Sequence, residues 1–380
     1  MAEIQSVLVC TVRIPLDRVT SFSSRTVYHR DYCLVKVRSK DGVDGIGFCY
    51  VGSAAGNIGP AAVEQLLAPR LVGQESHRIE GLWDDMYREA LLHGRVGAVM
   101  RALSALDIAL WDLNSRAANL PLHQFLGCWT TESVPAYASG GYYLDGKTPK
   151  ELGAELEAYV NAGFDAVKIK VGRLSPKEEE ERVRAARAAI GADVRLMLDA
   201  NNAWSDVPTA IRYVERWAKY DPYWIEEPFG PDDIESHVAL AQRTRIPVAT
   251  GELEAGRWRF KELLDRRAAT VLQVDACVCG GITEYRRIAH LASAYGVTLC
   301  PHWFHDVHAQ LVASLPNSRY VEFFPDDQVL NFRRLIDRQL VHRNGRLILP
   351  STPGLGFAFD DKAVKKYAQG NWTTIRNRSS

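Results

Sequence analysis

Short apolar segments alternate with longer amphipathic segments along most of the chain, from about residue 134 to residue 324. Strands that are separated by helices in this way run parallel and carry their helices on the outside of the sheet. There are eight such apolar segments, and eight β/α units close into a barrel, whereas fewer units form an open sheet. The predicted strands are residues 134–138, 166–171, 195–199, 224–227, 246–251, 271–275, 297–301 and 320–324.

The segments between these strands carry helix signals. Thr148 and Ser175 each stand before a proline, which places a capping residue ahead of Pro at the first helical position. The alternative fold is a doubly wound open sheet. Its usual mark, a glycine-rich turn after the first strand, is absent, because the glycines of residues 42–47 have another spacing and lie in a hairpin context. Helices are predicted at residues 149–162, 176–190, 207–220, 234–243 and 283–295.

The first 130 residues have a different pattern, with strands predicted at 7–14, 32–38 and 45–51 and helices at 60–67 and 96–118. We therefore predict an α/β fold class: a modified (β/α)8, TIM-type barrel over residues 131–335, with an α+β N-terminal capping domain over residues 1–130. The C-terminal segment, residues 336–380, is expected to join the capping domain.

The charge of the 380-residue chain is balanced, with 46 Lys and Arg residues against 46 Asp and Glu residues. This balance argues against a chain that coats nucleic acid or an anionic membrane surface. No apolar run approaches the roughly 20 residues that span a bilayer, and the N-terminus lacks the basic region and cleavage site of a signal peptide. The seven cysteines are scattered and form no C-x-x-C motif. We therefore expect reduced thiols, a cytoplasmic location and a small-molecule partner.

Ionisable residues follow five consecutive predicted strands at nearly regular intervals. They are separated by 27, 26, 23 and 27 residues, which is about the length of one β/α unit. Each residue therefore occupies the equivalent place in its unit, and all five are expected at the carboxyl end of the barrel, where the active sites of such barrels lie. The five residues are Asp199, Glu226, Glu252, Asp275 and His302.

The first three of these residues, Asp199, Glu226 and Glu252, are carboxylates on adjacent strands. A single acid at a strand end usually caps the following helix, but three that converge would repel one another unless a cation neutralises them. Oxygen ligands with room left for water and substrate suit Mg²⁺ better than Zn²⁺. The pattern predicts a Mg²⁺ site made by Asp199, Glu252 and either Glu226 or Glu227, and the spacing does not choose between the last two.

Lys168 and Lys170 lie on the same face of the predicted strand 166–171, because side chains alternate along a strand. Beside each other and near a cation, one of them is expected to have a lowered pKa and to act as a base. His302 stands one strand away from Asp275, which would fix its tautomer and raise its basicity. The alternatives are solvated lysines on an edge strand and a structural histidine.

A histidine cluster offers a competing metal site. His302, His305 and His308 lie at spacings of three, which would bring the imidazoles together only in a tight helix. Pro301 and Trp303 indicate instead that His302 ends a strand. We therefore favour the carboxylate site.

Together these residues resemble the enolase superfamily and, within it, the mandelate racemase-like branch, over nearly the whole chain. The resemblance implies that Glu226, the first glutamate of the Glu-Glu-Pro motif, is the metal ligand. Lys170 with the His302–Asp275 pair is similar to the racemase branch and not to the lactonizing branch, which uses a lysine from the sixth strand. The features that carry the resemblance are Lys168-x-Lys170, the Asp199/Glu226/Glu252 triad, Glu226-Glu227-Pro228, Asp275 followed by Gly280-Gly281, and His302.

The resemblance also implies a reaction: abstraction of the proton α to a carboxylate through a metal-stabilised enediolate. Lys168 would add positive charge at the substrate carboxylate, and Glu322, if protonated, would donate a hydrogen bond to it. Lys170 and His302 would face the α-carbon from opposite sides. The favoured outcome is dehydration of a sugar acid to a 2-keto-3-deoxy acid. Racemisation or epimerisation and sugar-lactone cycloisomerisation are the alternatives, and a non-catalytic barrel or a metal-dependent aldolase or hydrolase are the competing classes.

Further substrate contacts are expected from loops around the mouth of the barrel. The capping segments 20–30 and 50–57 would set substrate choice, with Arg25 and His29 as candidate contacts. Tyr142, after the first barrel strand, and Asn201, just beyond Asp199, are the other candidates. The predicted substrate is a sugar acid or lactone, and the resemblance implies a homo-oligomer, since relatives commonly form symmetric assemblies.

Overall fold

The computed structural model describes residues 3–326, 328 and 330–377. The strands are β1 (Ile4–Ser21), β2 (Thr26–Ser39), β3 (Asp44–Tyr50), β4 (Ser133–Ser139), β5 (Ala166–Lys170), β6 (Arg195–Asp199), β7 (Pro222–Glu226), β8 (Val248–Thr250), β9 (Val271–Leu272), β10 (Thr298–Leu299), β11 (Val321–Phe323), β12 (His342–Arg343), β13 (Arg346–Ile348) and β14 (Thr373–Arg376). The α-helices are α1 (Ile58–Ala62), α2 (Ile79–Ala90), α3 (Ala98–Ala117), α4 (Leu122–Phe125), α5 (Pro149–Asn161), α6 (Pro176–Ile190), α7 (Val207–Trp217), α8 (Ile234–Ala241), α9 (Arg257–Asp265), α10 (Gly281–Ala294), α11 (His305–Ser314) and α12 (Asp361–Tyr367). A π-helical turn follows α1 at Val63–Leu67, and 3-10 turns lie at Ala68–Arg70, Ala218–Tyr220 and Phe332–Leu335.

An antiparallel sheet of four strands, in the order β14-β1-β2-β3, forms the N-terminal part of the molecule. β1 and β2 make a long hairpin that continues to Ser21, well past the predicted end of the first strand, with an irregular register between Pro15 and Thr20. The apolar stripe of α3 packs on this sheet and is buried along nearly its whole length. The hairpin therefore carries its tip, residues 22–25, out from the sheet toward the barrel.

Eight parallel strands, β4 to β11, form the second part of the molecule. Each of β4 to β10 pairs with the next strand along this series, except that β10 and β11 are joined through an isolated bridge between Leu299 and Ser318. β11 pairs in turn with β4, with Glu322 opposite Tyr137. The strands thus form a continuous ring, and the predicted α/β barrel with its capping domain is confirmed.

Seven of these eight strands are followed by an α-helix, from α5 after β4 to α11 after β10. The cap signals act as predicted: the side chains of Thr148 and Ser175 accept the N–H groups of Glu151 and Glu178, and the two glutamates bond back to them. Helices α9 and α11 occupy the two intervals in which the sequence pattern identified no helix.

The alternation of side chains along the barrel strands explains why the polar residues meet. An apolar layer fills the barrel interior, and it includes Met197, Trp224 and Tyr320. Residues two positions further along each strand point to the same side. Asp199, Glu226 and Glu322 occupy those positions, directly above the apolar layer. The interior is therefore a closed apolar floor with a charged site on top of it.

The C-terminal segment contacts both parts of the molecule. β14 pairs with β1, with Ile375 opposite Val7, as expected of a segment that joins the capping domain. The β12–β13 hairpin instead pairs with β4, with Leu347 opposite Val134. This is possible because the first residues of β4 extend past the strands that flank it in the ring. The domain boundaries at residues 130 and 336 stay a prediction.

Across the described residues, none of the helices combines the length and apolar character that crossing a bilayer requires.

The glycines at 45 and 47 serve packing. β3 lies so close to α3 that a Cβ at Gly47 would come within 1.9 Å of the Ala105 carbonyl oxygen, and one at Gly45 within 2.1 Å of the Ala109 carbonyl oxygen. Only a residue without a side chain allows this approach.

Gly47→Ala is therefore expected to lower the melting temperature, because β3 and α3 must separate to admit the methyl group. Overpacking of this kind usually costs about 1–3 kcal/mol. The control is Gly370→Ala, where an added Cβ meets nothing within 4 Å. Thermal unfolding of both variants checks the expectation, and an unchanged melting temperature for Gly47→Ala would contradict it.

Candidate active site

Three buried carboxylates meet at the carboxyl end of the barrel. Asp199 and Glu226 end β6 and β7, and Glu252 follows β8. One oxygen from each lies within 4.8 Å of the others, and within the described residues this is the one group of His, Cys, Asp and Glu side chains close enough to share a metal ion. Its donors are all oxygens, which is the chemistry that Mg²⁺ prefers. The triad therefore fits a divalent cation of that kind.

The register of the strands places these acids at one level. Lys170 is opposite Asp199, and Asp199 is opposite Glu226. Glu227, which the spacing left as an alternative to Glu226, has a positive φ of 41° and stands outside the group of three. Burial and the nearby Glu252 raise the pKa of Glu227 well above its ordinary value. The geometry thus favours Glu226.

Two buried lysines, Lys168 and Lys170, contact the triad. Lys168 is fully buried, and its Nζ lies 2.6 Å from Glu226 Oε1, 2.7 Å from Glu322 Oε1 and 3.6 Å from Asp199 Oδ2. Burial alone would lower the pKa of Lys168, but the carboxylates of Glu226 and Glu322 outweigh it and raise that pKa well above the ordinary value. Lys168 therefore carries a fixed positive charge at the centre of the site.

Lys170 lies beside it, with Nζ 2.5 Å from Asp199 Oδ2. Burial opposes the charge of Lys170, but Asp199 outweighs burial and raises its pKa. The sequence predicted a lowered pKa for one lysine near a cation. Among the protein charges alone the direction is the opposite, because the nearest charges to Lys170 are carboxylates that a bound cation would neutralise.

Burial and Asp199 raise the pKa of Glu226. Burial also acts to raise the pKa of Asp199, but Lys170 and Lys168 outweigh it and lower that pKa to about 2. Among the protein charges, Asp199 therefore favours its ionised form, whereas the neighbouring Glu226 favours its protonated form. A divalent cation held by both residues would favour the ionised form of each.

His302 lies across the barrel mouth from the lysines. Its Nδ1 is 2.9 Å from Asp275 Oδ2, and its Nε2 is 3.5 Å from Glu252 Oε1. Burial lowers the pKa of His302, but Glu252 and Asp275 outweigh burial and raise it to about 9. Asp275 is itself oriented, because its Oδ1 accepts the N–H of Cys277 at 2.7 Å. The predicted Asp–His pair is thus present as a hydrogen-bonded unit.

Both ring nitrogens of the neighbouring His308 form hydrogen bonds to the backbone, so neither is free to bind a metal. Its Nε2 accepts the N–H of Ala276 at 3.0 Å, so its Nδ1 carries the proton that is donated to the Trp303 carbonyl oxygen at 2.9 Å. Burial lowers the pKa of His308, which keeps the ring neutral in this tautomer. His302 lies before α11 while His308 lies within it.

Glu322 faces the lysines from β11. Its Oε2 accepts the N–H of Trp303 at 2.8 Å. Burial acts to raise the pKa of Glu322, but Lys168 and His302 outweigh it and lower that pKa to about 2. Among the protein charges alone Glu322 therefore favours its ionised form, which accepts hydrogen bonds; the donor role was assigned to it only if it is protonated.

One cavity connects the two sides of the mouth. Of the candidate residues, Lys170, Glu252, His302, Glu322, Tyr142, Asn201 and Arg25 line it. The Tyr142 ring lies 5.3 Å from Lys170 Nζ. Asn201 donates its N–H to Asp199 Oδ1 at 2.9 Å, and its side-chain oxygen is buried with no hydrogen-bond partner among the described residues.

His29 is outside this lining, and its Nε2 lies 3.9 Å from Asp31 Oδ1. The neighbouring Arg30 lines the cavity instead and is stacked on Trp303, with 4.8 Å between its guanidinium carbon and the ring centroid. Side chains alternate along β2, so His29 and Arg30 point to opposite faces. The predicted strand began only at residue 32, so the sequence pattern did not show this alternation at residues 29 and 30. Arg101, from the first turn of α3, is a further cavity residue that the sequence analysis missed.

Comparisons with known proteins agree with this geometry. Residues 4–127 match the family model described as mandelate racemase / muconate lactonizing enzyme, N-terminal domain, and residues 151–363 match the one described as enolase C-terminal domain-like. The chain is 34% identical to L-talarate/galactarate dehydratase of Salmonella typhimurium, over 90% of this chain and 82% of that protein. It is 33% identical to D-galactarolactone cycloisomerase of Agrobacterium fabrum, over 93% of this chain and 95% of the relative.

Among solved structures, L-talarate dehydratase from Polaromonas sp. JS666, complexed with Mg and L-glucarate, superposes with a TM-score of 0.88 at 31% identity, covering all of both chains. The chain therefore belongs to the enolase superfamily, in its mandelate racemase / muconate lactonizing enzyme family. These relatives are sugar-acid dehydratases and cycloisomerases.

Asp199→Asn is expected to weaken Mg²⁺ binding at least tenfold, because it removes an ionised ligand from the centre of the triad. Calorimetric titration with MgCl₂ measures this. Asp193→Asn is the matched control, since Asp193 is exposed and lies just before the start of β6, at the end of the strand opposite to Asp199. Equal Mg²⁺ affinities for the two variants would contradict the placement of the metal.

Proposed function

We propose that this protein is a Mg²⁺-dependent lyase that dehydrates a sugar acid to a 2-keto-3-deoxy acid. The observation that carries the proposal is the presence of Lys170 and the Asp275-bound His302 in one cavity beside the carboxylate triad. Two proton-transferring groups flanking a site for a carboxylate are what removal of an α-proton and loss of a β-hydroxyl require.

Asp199, Glu226 and Glu252 would hold the metal. When bound, Mg²⁺ supplies positive charge that makes the proton α to the substrate carboxylate more acidic. Solved relatives that carry Mg support this assignment. Lys168 is the chain's own contribution to the same effect, since it is a fully buried cation at the centre of the site and stabilises negative charge that develops on the carboxylate.

Lys170 takes the α-proton. Its ammonium group is paired with Asp199 among the protein charges, and a metal held by Asp199 would weaken that pairing and favour the neutral amine. The amine is then free to accept a proton from the α-carbon. Tyr142 and Phe22 lie within about 6 Å of Nζ and form the apolar wall that keeps water from the amine.

His302 supplies the proton for the leaving group. The Asp275 hydrogen bond occupies Nδ1, which leaves Nε2 to donate, and the raised pKa keeps His302 protonated at neutral pH. The C–O bond at the β-carbon breaks, the hydroxyl leaves as water with the proton from His302, and the resulting enol tautomerises to the 2-keto acid. The lysine and histidine return to their starting states by exchanging one proton each with solvent.

The second candidate is an isomerase: an epimerase or a sugar-lactone cycloisomerase that uses the same two groups. The similarity to D-galactarolactone cycloisomerase favours it. In epimerisation His302 returns a proton to the α-carbon. In cycloisomerisation the ring oxygen leaves the β-carbon as a carboxylate and the resulting enol tautomerises, so no water is lost in either reaction. The expected homo-oligomeric assembly stays a prediction.

A screen of C4–C6 sugar acids and their lactones with and without Mg²⁺ separates the two candidates. Mass spectrometry separates them, because dehydration yields a 2-keto acid that is lighter than the substrate by one water, whereas epimerisation or cycloisomerisation yields an isomer of unchanged mass. We expect 2-keto acid formation that EDTA abolishes. Turnover that survives EDTA, or products that are isomers alone, would contradict the dehydratase proposal.

His302→Asn is expected to abolish dehydration, by at least a hundredfold, while retaining exchange of the α-proton with solvent deuterium, because Lys170 still acts as a base. NMR of recovered substrate in D₂O measures the exchange. His290→Asn is the control, since His290 is exposed on α10. Dehydration at the wild-type rate in His302→Asn would overturn the role of the histidine.

Lys170→Ala is expected to lose both exchange and dehydration, since removal of the α-proton precedes loss of the hydroxyl. Lys177→Ala, an exposed lysine on α6, should behave as wild type in the same NMR experiment. Persistent α-proton exchange in Lys170→Ala would show that another group is the base.

A further inference from the structure

The turn between β9 and α10 carries Asp275 and is held by backbone hydrogen bonds throughout. The Asp275 carbonyl oxygen accepts the N–H of Cys279 at 2.8 Å, and the Ala276 carbonyl oxygen accepts the N–H of Gly281 at 3.1 Å. The position of the Asp275 carboxylate is therefore tied to the place where α10 begins. Whatever fixes the start of α10 also fixes the group that orients His302.

The start of α10 has no cap of its own. Helices α5, α6, α7 and α8 each have a side chain at the N-cap position that accepts a backbone N–H of the first turn. In α10 that position is Gly280, which has no side chain. An uncapped first turn leaves backbone N–H groups without partners, which is destabilising when they are buried.

The missing cap comes from α3, in the other part of the molecule. Asp107 Oδ2 accepts the N–H of Thr283 at 2.9 Å, and Asp107 Oδ1 accepts the Thr283 hydroxyl at 2.6 Å. Ser104 Oγ accepts the N–H of Gly280 at 2.9 Å, and the Trp83 indole donates to the Gly280 carbonyl oxygen at 2.7 Å. All of these side chains are buried.

The fit between the two parts is close. Gly281 has a φ of 88°, and a Cβ there would lie 2.3 Å from Asp107 Oδ2. Burial raises the pKa of Asp107 to about 7, and no salt bridge of Asp107 is found among the described residues. Burial of Asp107 therefore costs free energy. The groups that it binds in return lie at the start of α10.

We propose that Asp107 and Ser104 are positioning residues for the catalytic Asp275–His302 pair: the capping domain caps α10 and so sets where Asp275 holds the imidazole. The inference rests on the proposed function, because it assigns to His302 the proton transfer that would suffer. Lys170 stands on β5, whose neighbours in the ring are β4 and β6, and so takes no part in this arrangement. Loss of the cap should therefore affect the two proton transfers unequally.

The test is Asp107→Asn, which places an amide where the Thr283 N–H and hydroxyl both need an acceptor. Dehydration and α-proton exchange are measured together in D₂O, as 2-keto acid formed against deuterium in recovered substrate. We expect the ratio of dehydration to exchange to fall about tenfold or more, since small displacements of a catalytic group have effects of this size. A purely structural loss would lower both in parallel.

The matched control is Asp112→Asn. Asp112 is a second fully buried aspartate on α3, and it accepts the N–H groups of Ile46 and Leu355 and binds Arg116. It has no contact with the turn after β9 in these bonds. Asp112→Asn should lose comparable thermal stability and keep the wild-type ratio of dehydration to exchange.

Thr283 provides an independent check that does not change α3. Thr283→Val removes the hydroxyl that Asp107 accepts and should lower the ratio, whereas Thr283→Ser keeps the hydroxyl and should restore it. These two variants decide the matter if Asp107→Asn does not fold. A parallel fall of both activities in Asp107→Asn, an equal change of ratio in Asp112→Asn, or identical ratios in the two Thr283 variants would overturn the proposal.

The outcome is separable from that of the proposed function. If His302→Asn retains dehydration, the proposed function fails. If His302→Asn loses dehydration while the cap variants keep the wild-type ratio, the proposed function stands and the positioning role alone is wrong.

Discussion

The active site depends on holding several carboxylates close together in the buried mouth of the barrel. Four carboxylates, those of Asp199, Glu226, Glu252 and Glu322, converge over an apolar floor, and one fully buried ammonium group, that of Lys168, lies between three of them. Buried carboxylates repel one another and lose their hydration, so such a cluster persists only with cations inside it. The parallel register brings two of these acids side by side, since it sets Asp199 opposite Glu226. A divalent cation on the triad is the counterpart that this charge distribution requires.

The same constraint divides the mouth of the barrel into two sides. On one side Lys170 is paired with a triad member, and on the other His302 is paired with Asp275. The proton affinities of both groups are thus set by the acids beside them. The capping part of the molecule closes the cavity with Arg25 and Arg30 from the β1–β2 hairpin, and it meets the barrel at the start of α10. The two parts therefore share the cavity and also the support of one of its proton-transferring groups.

Much of this arrangement could be predicted because it is periodic. The spacing of about 26 residues between Asp199, Glu226, Glu252, Asp275 and His302 is a property of the β/α unit, and it places all five at one end of the barrel. What the sequence could not show is contact between elements far apart in the chain. The pairing of the β12–β13 hairpin with β4 and the capping of α10 by Asp107 both join segments more than 150 residues apart.

The details that the sequence left open have physical causes of the same kind. His29 was a candidate contact, whereas Arg30 lines the cavity in the structure. Both residues precede the predicted strand 32–38, so the sequence pattern did not show which of them faces the cavity. The donor role of Glu322 was conditional on its protonation, and the distance of 2.7 Å from Lys168 that lowers its pKa is a tertiary contact that the sequence does not show. The choice between Glu226 and Glu227 needed the positive φ of Glu227, which local spacing does not reveal.

The central claim is that the carboxylate triad is a metal site, and crystallography with Mn²⁺ in place of Mg²⁺ tests it most directly, since manganese scatters anomalously. The account predicts one anomalous peak within coordinating distance of Asp199, Glu226 and Glu252. Lys168 should keep its contacts with its neighbouring carboxylates, and Glu227 should lie outside the coordination sphere. A peak at the histidines of α11, or no peak at the triad in crystals grown with saturating Mn²⁺, would contradict it.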